Sequence, residues 1–282
     1  MQLDRSRPHL FRYCVATALV ALLLAVPSGA FAAPITIRTG SGADAASIQA
    51  VVELFRGDLG GLNNGNTLGS VGSGRREISW DGGGAMAPAS TFPVPMVTFN
   101  SLPTTRGAEF TTPGAGFEIS GQPLPEFGDI NATYPAIFQT FSAPRLFAPL
   151  GSTITDVLFF EPGSSTPATV TGFGAVFTDV DLANTSSLEF FNDANQSLGV
   201  FFVPTANNGL SFLGLTFAEQ IFRVRITSGN TALGPNDTFS TDVVALDDFI
   251  YSEPLPVPEP TTLALFGLGL GALAARLRRK LR

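Results

Sequence analysis

The feature that most constrains the fold is a series of short segments rich in Phe, Val and Thr across residues 96–253. Each segment is bounded by Gly, Pro or Asn, and the segments recur about every ten to fifteen residues, which is typical of strands joined by turns. Within residues 222–227 apolar and polar side chains alternate. Phe222, Val224 and Ile226 should therefore face a core, and the residues between them solvent. The pattern predicts an all-β domain, an antiparallel β-sandwich or jelly roll.

An earlier stretch, residues 41–59, has helical periodicity instead. Its apolar side chains recur at the spacing of one helix face; they are Ile48, Val51, Val52, Phe55 and Leu59. The sequence therefore predicts one N-terminal amphipathic helix that packs on the sheet and is followed by Gly-rich loops. Residues 33–95 would hold this helix and loop region, and residues 96–253 the sandwich.

Residues 1–32 have the pattern of a secretory signal peptide. Three arginines precede an apolar core at residues 15–25, and the small residues Ala30 and Ala32 predict cleavage after Ala32. This apolar core is too short to span a bilayer of roughly 30 Å. We therefore expect the rest of the chain to be exported.

Residues 254–282 have a pattern of three parts. A VPEP tetrad at residues 257–260 precedes an uncharged run at residues 261–275 and a basic tail at residues 276–282. A helix over the uncharged run would span roughly 22 Å, and a membrane helix usually needs about 20 apolar residues. The pattern predicts a short membrane helix whose basic end stays in the cytoplasm.

This ending closely resembles the PEP-CTERM sorting signal of Gram-negative bacteria, with Val257, Pro258, Glu259 and Pro260 as its motif. The resemblance implies recognition by an exosortase in the cytoplasmic membrane, processing near the motif after a transient membrane intermediate, and delivery to the cell surface. The implied partners are the exosortase, the export machinery and the membrane before processing.

Proteins of this family are often linked to extracellular polysaccharide and biofilm, and the same type of tail occurs on some ice-binding proteins. Residues 172–251, with the stretches GFGAVFTDVD and ALDDFIY, are similar to the β-sandwich domain common in PEP-CTERM surface proteins. That resemblance supports the fold and the location more than an activity.

Composition limits the chemistry of the exported part, residues 33–259. Its eight basic and 22 acidic residues give a net charge of about −14. We expect no nucleic-acid partner, because phosphate binding needs clustered basic residues. Both Cys14 and His9, the single residues of their types, lie in the signal peptide, which excludes disulfides, thiol nucleophiles, His-assisted triads and Cys or His metal sites. Oxygen ligands remain, and these suit Ca²⁺ or sugars.

Five aspartates are candidates for a Ca²⁺ site. Asp179 and Asp181 end a predicted strand and should project to one side, and Asp193 lies in a predicted turn. Asp247 and Asp248 are adjacent on the last predicted strand and should point to opposite faces. If the strand ends converge, these oxygens could ligate Ca²⁺, which takes roughly six to eight oxygen ligands. The alternative is that the aspartates bond to their own backbone at turns and strand ends.

A second candidate site is the segment RREISWDG, which contains the sole tryptophan. Arg75, Arg76, Trp80 and Asp81 could form a glycan-contact patch, because Trp faces and Arg forks suit sugar rings and hydroxyls. The alternative is a single strand whose Trp fills the core beneath long loops.

Together these observations favour a secreted, exosortase-sorted protein of the cell surface or extracellular matrix. Its expected role is non-enzymatic adhesion or glycan binding, with Ca²⁺ as a potential aid. A carboxylate-based secreted hydrolase, an ice-binding protein and a purely structural surface protein are the alternatives.

Overall fold

The structure, a computed structural model, describes residues 34–97, 105–234 and 240–257. Within these residues the chain is mainly β, with one α-helix and one turn of 3₁₀-helix. The elements in chain order are β1 (Pro34–Gly42), α1 (Ala45–Asp58), β2 (Arg75–Ile78), β3 (Ser90–Phe92), β4 (Met96–Val97), β5 (Ala108–Thr111), β6 (Gly116–Ile119), the 3₁₀ turn (Tyr134–Ala136), β7 (Phe147–Leu150), β8 (Ile154–Phe159), β9 (Ala168–Val180), β10 (Ser187–Phe191), β11 (Ser197–Phe202), β12 (Ala206–Ile221), β13 (Arg223–Thr227), β14 (Ala245–Ser252) and β15 (Leu255–Pro256).

The strands form two antiparallel sheets. The larger has nine strands in the order β1-β12-β9-β14-β7-β6-β3, with β15 paired to β9 and β2 paired to β14. The smaller has six strands in the order β11-β10-β13-β8-β5-β4. The predicted all-β class with antiparallel sheets is confirmed.

The core lies between the two sheets. Aromatic rings meet across it: the ring centroids of Phe190 and Phe217 are 5.0 Å apart, and those of Phe110 and Phe147 are 5.7 Å apart. Each pair joins a strand of the small sheet to a strand of the large one. Large aromatic side chains dominate such cores because each buries a large apolar area, so the sheets are held face to face as a sandwich.

Helix α1 packs on the outward face of the nine-stranded sheet. Asp44 caps the helix, and its Oδ1 accepts a hydrogen bond from the Ser47 N–H at 2.9 Å. Phe55 is fully buried and lies against Gly174 and Gly214, where a Cβ would come within 2.9 Å of its ring. The two glycines therefore leave the space that the helix fills.

A second group of apolar side chains covers the rest of that outward face. It includes Phe127, Tyr134 and Phe138, which pack on Leu146 and on strands β7 and β14. The sandwich core covers the inner face of β14, and α1 and this second group cover its outer face. Every residue of β14 is therefore buried. We call the outward side of the nine-stranded sheet the covered face.

The outward side of the six-stranded sheet is different, and we call it the open face. Its strands alternate between buried and partly exposed residues, as in β8 and β13. In the part of the chain that the structure describes, no buried apolar cluster lies on this side. Val200 and Phe202 are 47% and 51% exposed there.

The predicted signal peptide at residues 1–32 and the predicted membrane helix at residues 261–275 lie outside the described residues. Helix α1 occupies Ala45–Asp58, inside the stretch with helical periodicity. Among residues 34–97, 105–234 and 240–257, no helix has the length and apolar character needed to cross a membrane.

Candidate functional site

The open face carries an ionic row across three neighbouring strands. The backbone register places Glu189 of β10 beside Arg225 of β13, and Arg225 beside Asp156 of β8. Arg225 donates to both carboxylate oxygens of Asp156, at 2.9 Å from Nε and 2.8 Å from Nη2. These hydrogen bonds raise the pKa of Arg225 above its ordinary value. A fork-to-fork pair of this kind fixes the orientation of both groups.

Next to this row, Arg223 stacks on Phe191. The guanidinium carbon lies 3.6 Å from the ring centroid, while Nη1 donates to Asp156 at 2.8 Å and Nη2 donates to Asn195 at 2.7 Å. The cation is therefore held over the ring by contacts on two sides, and a cation in this position is attracted by the ring quadrupole.

The open face thus combines fixed polar groups with exposed apolar side chains. Each guanidinium has five N–H donors, and those not bound to Asp156 or Asn195 can donate to hydroxyls. Phe202, half exposed at the edge of the sheet, can contact the apolar side of a sugar ring. The sequence places the arginines of β13 on the solvent side but does not reveal their partners, which lie at least 28 residues away along the chain.

The predicted glycan-contact patch at residues 75–81 is wrong for two of its four members. Arg76 is 0% exposed and Trp80 is 2% exposed. Trp80 stacks on Phe147 with centroids 4.1 Å apart, and its Nε1–H donates to the Asp247 carbonyl at 3.0 Å. The alternative interpretation, a strand whose Trp fills the core, describes this segment.

The other two members of that patch are bound to neighbours. Arg75 donates to Glu77 at 2.5 Å and to the carbonyl of Gly61. Asp81 accepts the Arg145 N–H at 3.0 Å. The Trp80 ring is turned into the core, so it is not exposed for stacking beside either side chain.

Arg76 instead forms a buried ion pair with Glu253. Its Nε and Nη2 donate to the two carboxylate oxygens at 2.8 and 2.7 Å. Its remaining donors reach the carbonyls of Gly65, Gly69 and Thr105 at 2.9–3.2 Å. The pair fixes the Gly-rich loop of residues 60–74 against the end of β14.

The five aspartates proposed for Ca²⁺ lie at three separate places. Asp179 and Asp181 lie at the end of β9, Asp193 is exposed in the turn between β10 and β11, and Asp247 and Asp248 lie within β14. In the described part of the chain, no group of three or more Asp, Glu, His or Cys side chains could hold a metal ion. Convergence of these aspartates at the strand ends, the condition for the Ca²⁺ hypothesis, is therefore not met in the described part of the chain.

Asp247 and Asp248 also depart from the prediction that they point to opposite faces. A register shift between Leu246 and Phe249 bulges the strand, and both carboxylates turn toward Ser142. The Ser142 Oγ lies 2.6 Å from Asp248, 2.9 Å from Asp81 and 3.3 Å from Asp247. A β-bulge inserts an extra residue and re-aims its neighbours, which is the reason for the difference.

This aspartate pair is closed to solvent, with Asp247 0% and Asp248 3% exposed. Burial raises the pKa of Asp247 well above its ordinary value, and the charge of Asp248 raises it further. Burial also raises the pKa of Asp248 to about 6. Like charges close together disfavour ionisation of both groups. The two carboxylates hold the loop at residues 141–145 through the Phe141 N–H and the Ser142 hydroxyl.

Sequence reasoning missed two polar residues that organise loops. Asp242 accepts the N–H groups of Asp181 and Leu182 at 2.9 and 3.4 Å and thereby shapes the turn after β9. Arg145 is 6% exposed and donates to the backbone carbonyls of Ser120 and Gly82, each at 2.6 Å. Neither has a spacing signal, because each bonds to loops distant in the sequence.

Beside the first residues of β9, the chain passes directly from the sheet into the predicted sorting motif. Leu255 and Pro256 of β15 pair with Thr169 and Ala168 of β9. The Val257 N–H then donates to the Pro167 carbonyl at 3.2 Å. Pro258, Glu259 and Pro260 lie outside the described residues, so the folded domain reaches the first residue of the VPEP tetrad.

Comparison with protein families bears on this junction. The family model of the PEP-CTERM protein-sorting motif matches residues 256–280. The chain therefore carries a PEP-CTERM protein-sorting signal. The match covers the VPEP tetrad, the uncharged run and most of the basic tail, and it implies processing by an exosortase and export to the cell envelope or surface. No curated protein and no solved structure matches the chain significantly.

Proposed function

We propose that this PEP-CTERM protein is a non-enzymatic surface protein that binds extracellular polysaccharide through its open face. Its sorting signal would direct export, transient membrane anchoring through residues 261–275 and processing by the exosortase. The observation that carries the binding proposal is the fixed stack of Arg223 on Phe191, braced by Asp156, on a face that also exposes Phe202.

The geometry suits a sugar polymer for two reasons. Arginine forks already oriented by Asp156 lose little freedom when they bond to hydroxyls. Alternating polar and apolar side chains also match a ring that has hydroxyl edges and an apolar face. The net charge of about −14 on the exported part favours a neutral glycan over a strongly acidic one, because like charges repel.

The hydrolase alternative receives less support. A carboxylate-based glycoside hydrolase needs two acids roughly 5–10 Å apart across a cleft open to substrate. The acid pair Asp247 and Asp248, whose carboxylates both bond to Ser142, is buried. Its oxygens serve a loop contact and face no cleft.

The test is binding of the processed protein to polysaccharide purified from the producing cells, measured by affinity electrophoresis. We expect Arg223→Ala to weaken binding about tenfold, which corresponds to roughly 1.4 kcal/mol. Phe202→Ala should weaken it less, because this side chain supplies only apolar contact.

The matched control is Met86→Ala. Met86 is 84% exposed and lies in the loop between β2 and β3, two strands of the nine-stranded sheet, so its loss should leave binding unchanged. If the wild-type protein does not bind the polysaccharide, or if Met86→Ala weakens binding as much as Arg223→Ala, the proposal is wrong and a purely structural surface role becomes the better interpretation.

A further inference from the structure

The Gly-rich loop of residues 60–74 exposes apolar side chains that the sandwich does not use. The loop contains no charged residue. Leu68 is 67% exposed and Val71 is 47% exposed. Neighbouring apolar residues exposed on a loop without charges commonly mark a contact surface.

These side chains are presented by a fixed backbone. Gly69 accepts a hydrogen bond from Arg76 at 3.2 Å, and the Val71 N–H donates to Glu253 at 3.1 Å. Because Arg76 and Glu253 are both buried and paired, the loop between them is tied to the core. Leu68 and Val71 are thus held outward by an internal ion pair.

The loop lies beside the point where the chain leaves the domain. The Ser70 hydroxyl donates to the Pro254 carbonyl at 2.6 Å, and the Gly69 N–H donates to the Pro162 carbonyl at 2.7 Å. Pro162 belongs to the turn between β8 and β9, and Val257 bonds to Pro167 in the same turn. One end of the sandwich therefore carries both the apolar loop and the exit toward the sorting motif.

Chain length then restricts the distance between this end and a membrane. Only residues 258–260 separate Val257 from the uncharged run that begins at Thr261. Even fully extended, the connection from Val257 to Thr261 reaches about 14 Å. If the uncharged run enters the bilayer, the exit end of the domain must lie at the level of the lipid headgroups.

We propose that the loop at residues 60–74 docks on the outer surface of the cytoplasmic membrane before processing, with Leu68 and Val71 inserted among the headgroups. This inference rests on the proposed membrane-anchored intermediate. The contact between the loop and the lipid membrane would be apolar, because the loop has no basic cluster with which to attract anionic lipids. The docked loop would hold the VPEP tetrad at the membrane surface, where the exosortase acts.

The experiment uses the exported protein that retains residues 254–282, isolated from cells that lack the exosortase. Single cysteines at Leu68→Cys, Val71→Cys and Met86→Cys, each in a Cys14→Ser background, receive a fluorescent label. The labelled proteins are bound to vesicles of phosphatidylethanolamine and phosphatidylglycerol that contain nitroxide lipid as the quencher.

We expect quenching at positions 68 and 71 to exceed that at position 86 by at least about threefold, since interfacial contacts bury apolar groups several ångströms into the headgroup region. Met86 is the matched control because it is more exposed than either residue but follows β2, whereas the loop precedes that strand. Equal quenching at all three positions, with the protein still bound to vesicles, would overturn the docking proposal alone.

Flotation with vesicles tests the membrane-anchored intermediate separately from the docking of the loop at residues 60–74. The protein that retains residues 254–282 should float with the vesicles, and a variant truncated after Val257 should not. If the longer protein fails to float, both the anchored intermediate and the docking proposal are wrong. A second variant, Leu68→Asn with Val71→Asn, should remain folded because both side chains are exposed, and it should slow processing in cells that contain the exosortase.

Discussion

The two outward faces of this sandwich are built from the same kind of strand but have different surroundings. On the covered face, α1 and residues 127–138 bury the nine-stranded sheet, so β14 has no exposed residue. On the open face, strands β8 and β13 alternate between core and solvent. The comparison shows which face the chain uses for stability and which it leaves available for contact.

The difference also affects how charges are held. On the covered side the carboxylates of Asp247 and Glu118 are closed to water. On the open face the side chain of Arg225 is 41% exposed and that of Asp156 is 15% exposed. Burial makes a lost partner costly, whereas solvent screens an exposed pair.

The largest expected difference in the free energy of unfolding is between breaking the buried pair Arg76–Glu253 and breaking the exposed pair Arg225–Asp156. Arg76→Ala should lower the free energy of unfolding by about 5 kcal/mol, the upper end for a broken buried pair, because it removes the positive charge beside buried Glu253 and the donor to three loop carbonyls. Arg225→Ala on the open face should cost no more than about 1 kcal/mol. Urea unfolding measures both, and similar losses in the two variants would contradict the comparison.

The next largest difference in the free energy of unfolding is expected between substitutions of Phe55 and Phe202. Phe55→Ala beneath α1 should cost about 4 kcal/mol, within the usual range for a buried aromatic side chain, because the space against Gly174 and Gly214 would become a cavity. Phe202→Ala on the open face should cost less than about 1 kcal/mol. A small loss for Phe55→Ala would mean that the helix contributes little to the fold.

A third effect is pH dependence on the covered face. Burial raises the pKa of Glu118 to about 7, and the charge of Asp129 adds to the shift. Since the folded pKa exceeds the unfolded one, the stabilising contribution is present at low pH and is lost as pH rises through about 7.

Glu118→Gln should therefore raise the free energy of unfolding at pH 8 by about 2 kcal/mol relative to wild type and leave it nearly unchanged near pH 4. Asp129→Asn should reduce the pH dependence without abolishing it, because burial is the larger cause. Calorimetric melts from pH 4 to 8 provide the measurement, and identical pH profiles for wild type and Glu118→Gln would refute this account of Glu118.

The smallest expected effect concerns calcium. Because the five candidate aspartates lie at three separate places, the melting temperature in millimolar Ca²⁺ should differ from that in EDTA by less than about 1 °C, far below the shift expected at saturation of a tight site. A larger shift that disappears in the variant Asp179→Asn with Asp181→Asn would restore a calcium site at the end of β9.

Local patterns in the sequence predict the alternation of the strands well. In β13, Val224 and Ile226 are buried and Arg223 and Arg225 face solvent, as predicted. This succeeds because a period of two depends only on the strand itself. The sorting signal is likewise readable, since its order of motif, uncharged run and basic tail lies within one short segment.

Features that depend on distant residues could not be predicted. The bulge that turns Asp247 and Asp248 to the same side arises from pairing with β9, and adjacent residues alone suggest the opposite. The open-face site needs Phe191, Arg223 and Asp156 from three strands in one register. The sequence also could not predict whether Trp80 is buried or exposed, because the segments that bury it lie elsewhere in the chain.

The placement of Trp80 has a spectroscopic consequence. It is the sole tryptophan, and its ring contacts Phe147 of the large sheet and Phe110 of the small one. The tryptophan emission of this protein therefore originates at one point between the sheets. Emission should shift to longer wavelength when the sheets part and should stay constant when a ligand occupies only the outer surface, so one spectrum separates binding from opening of the core.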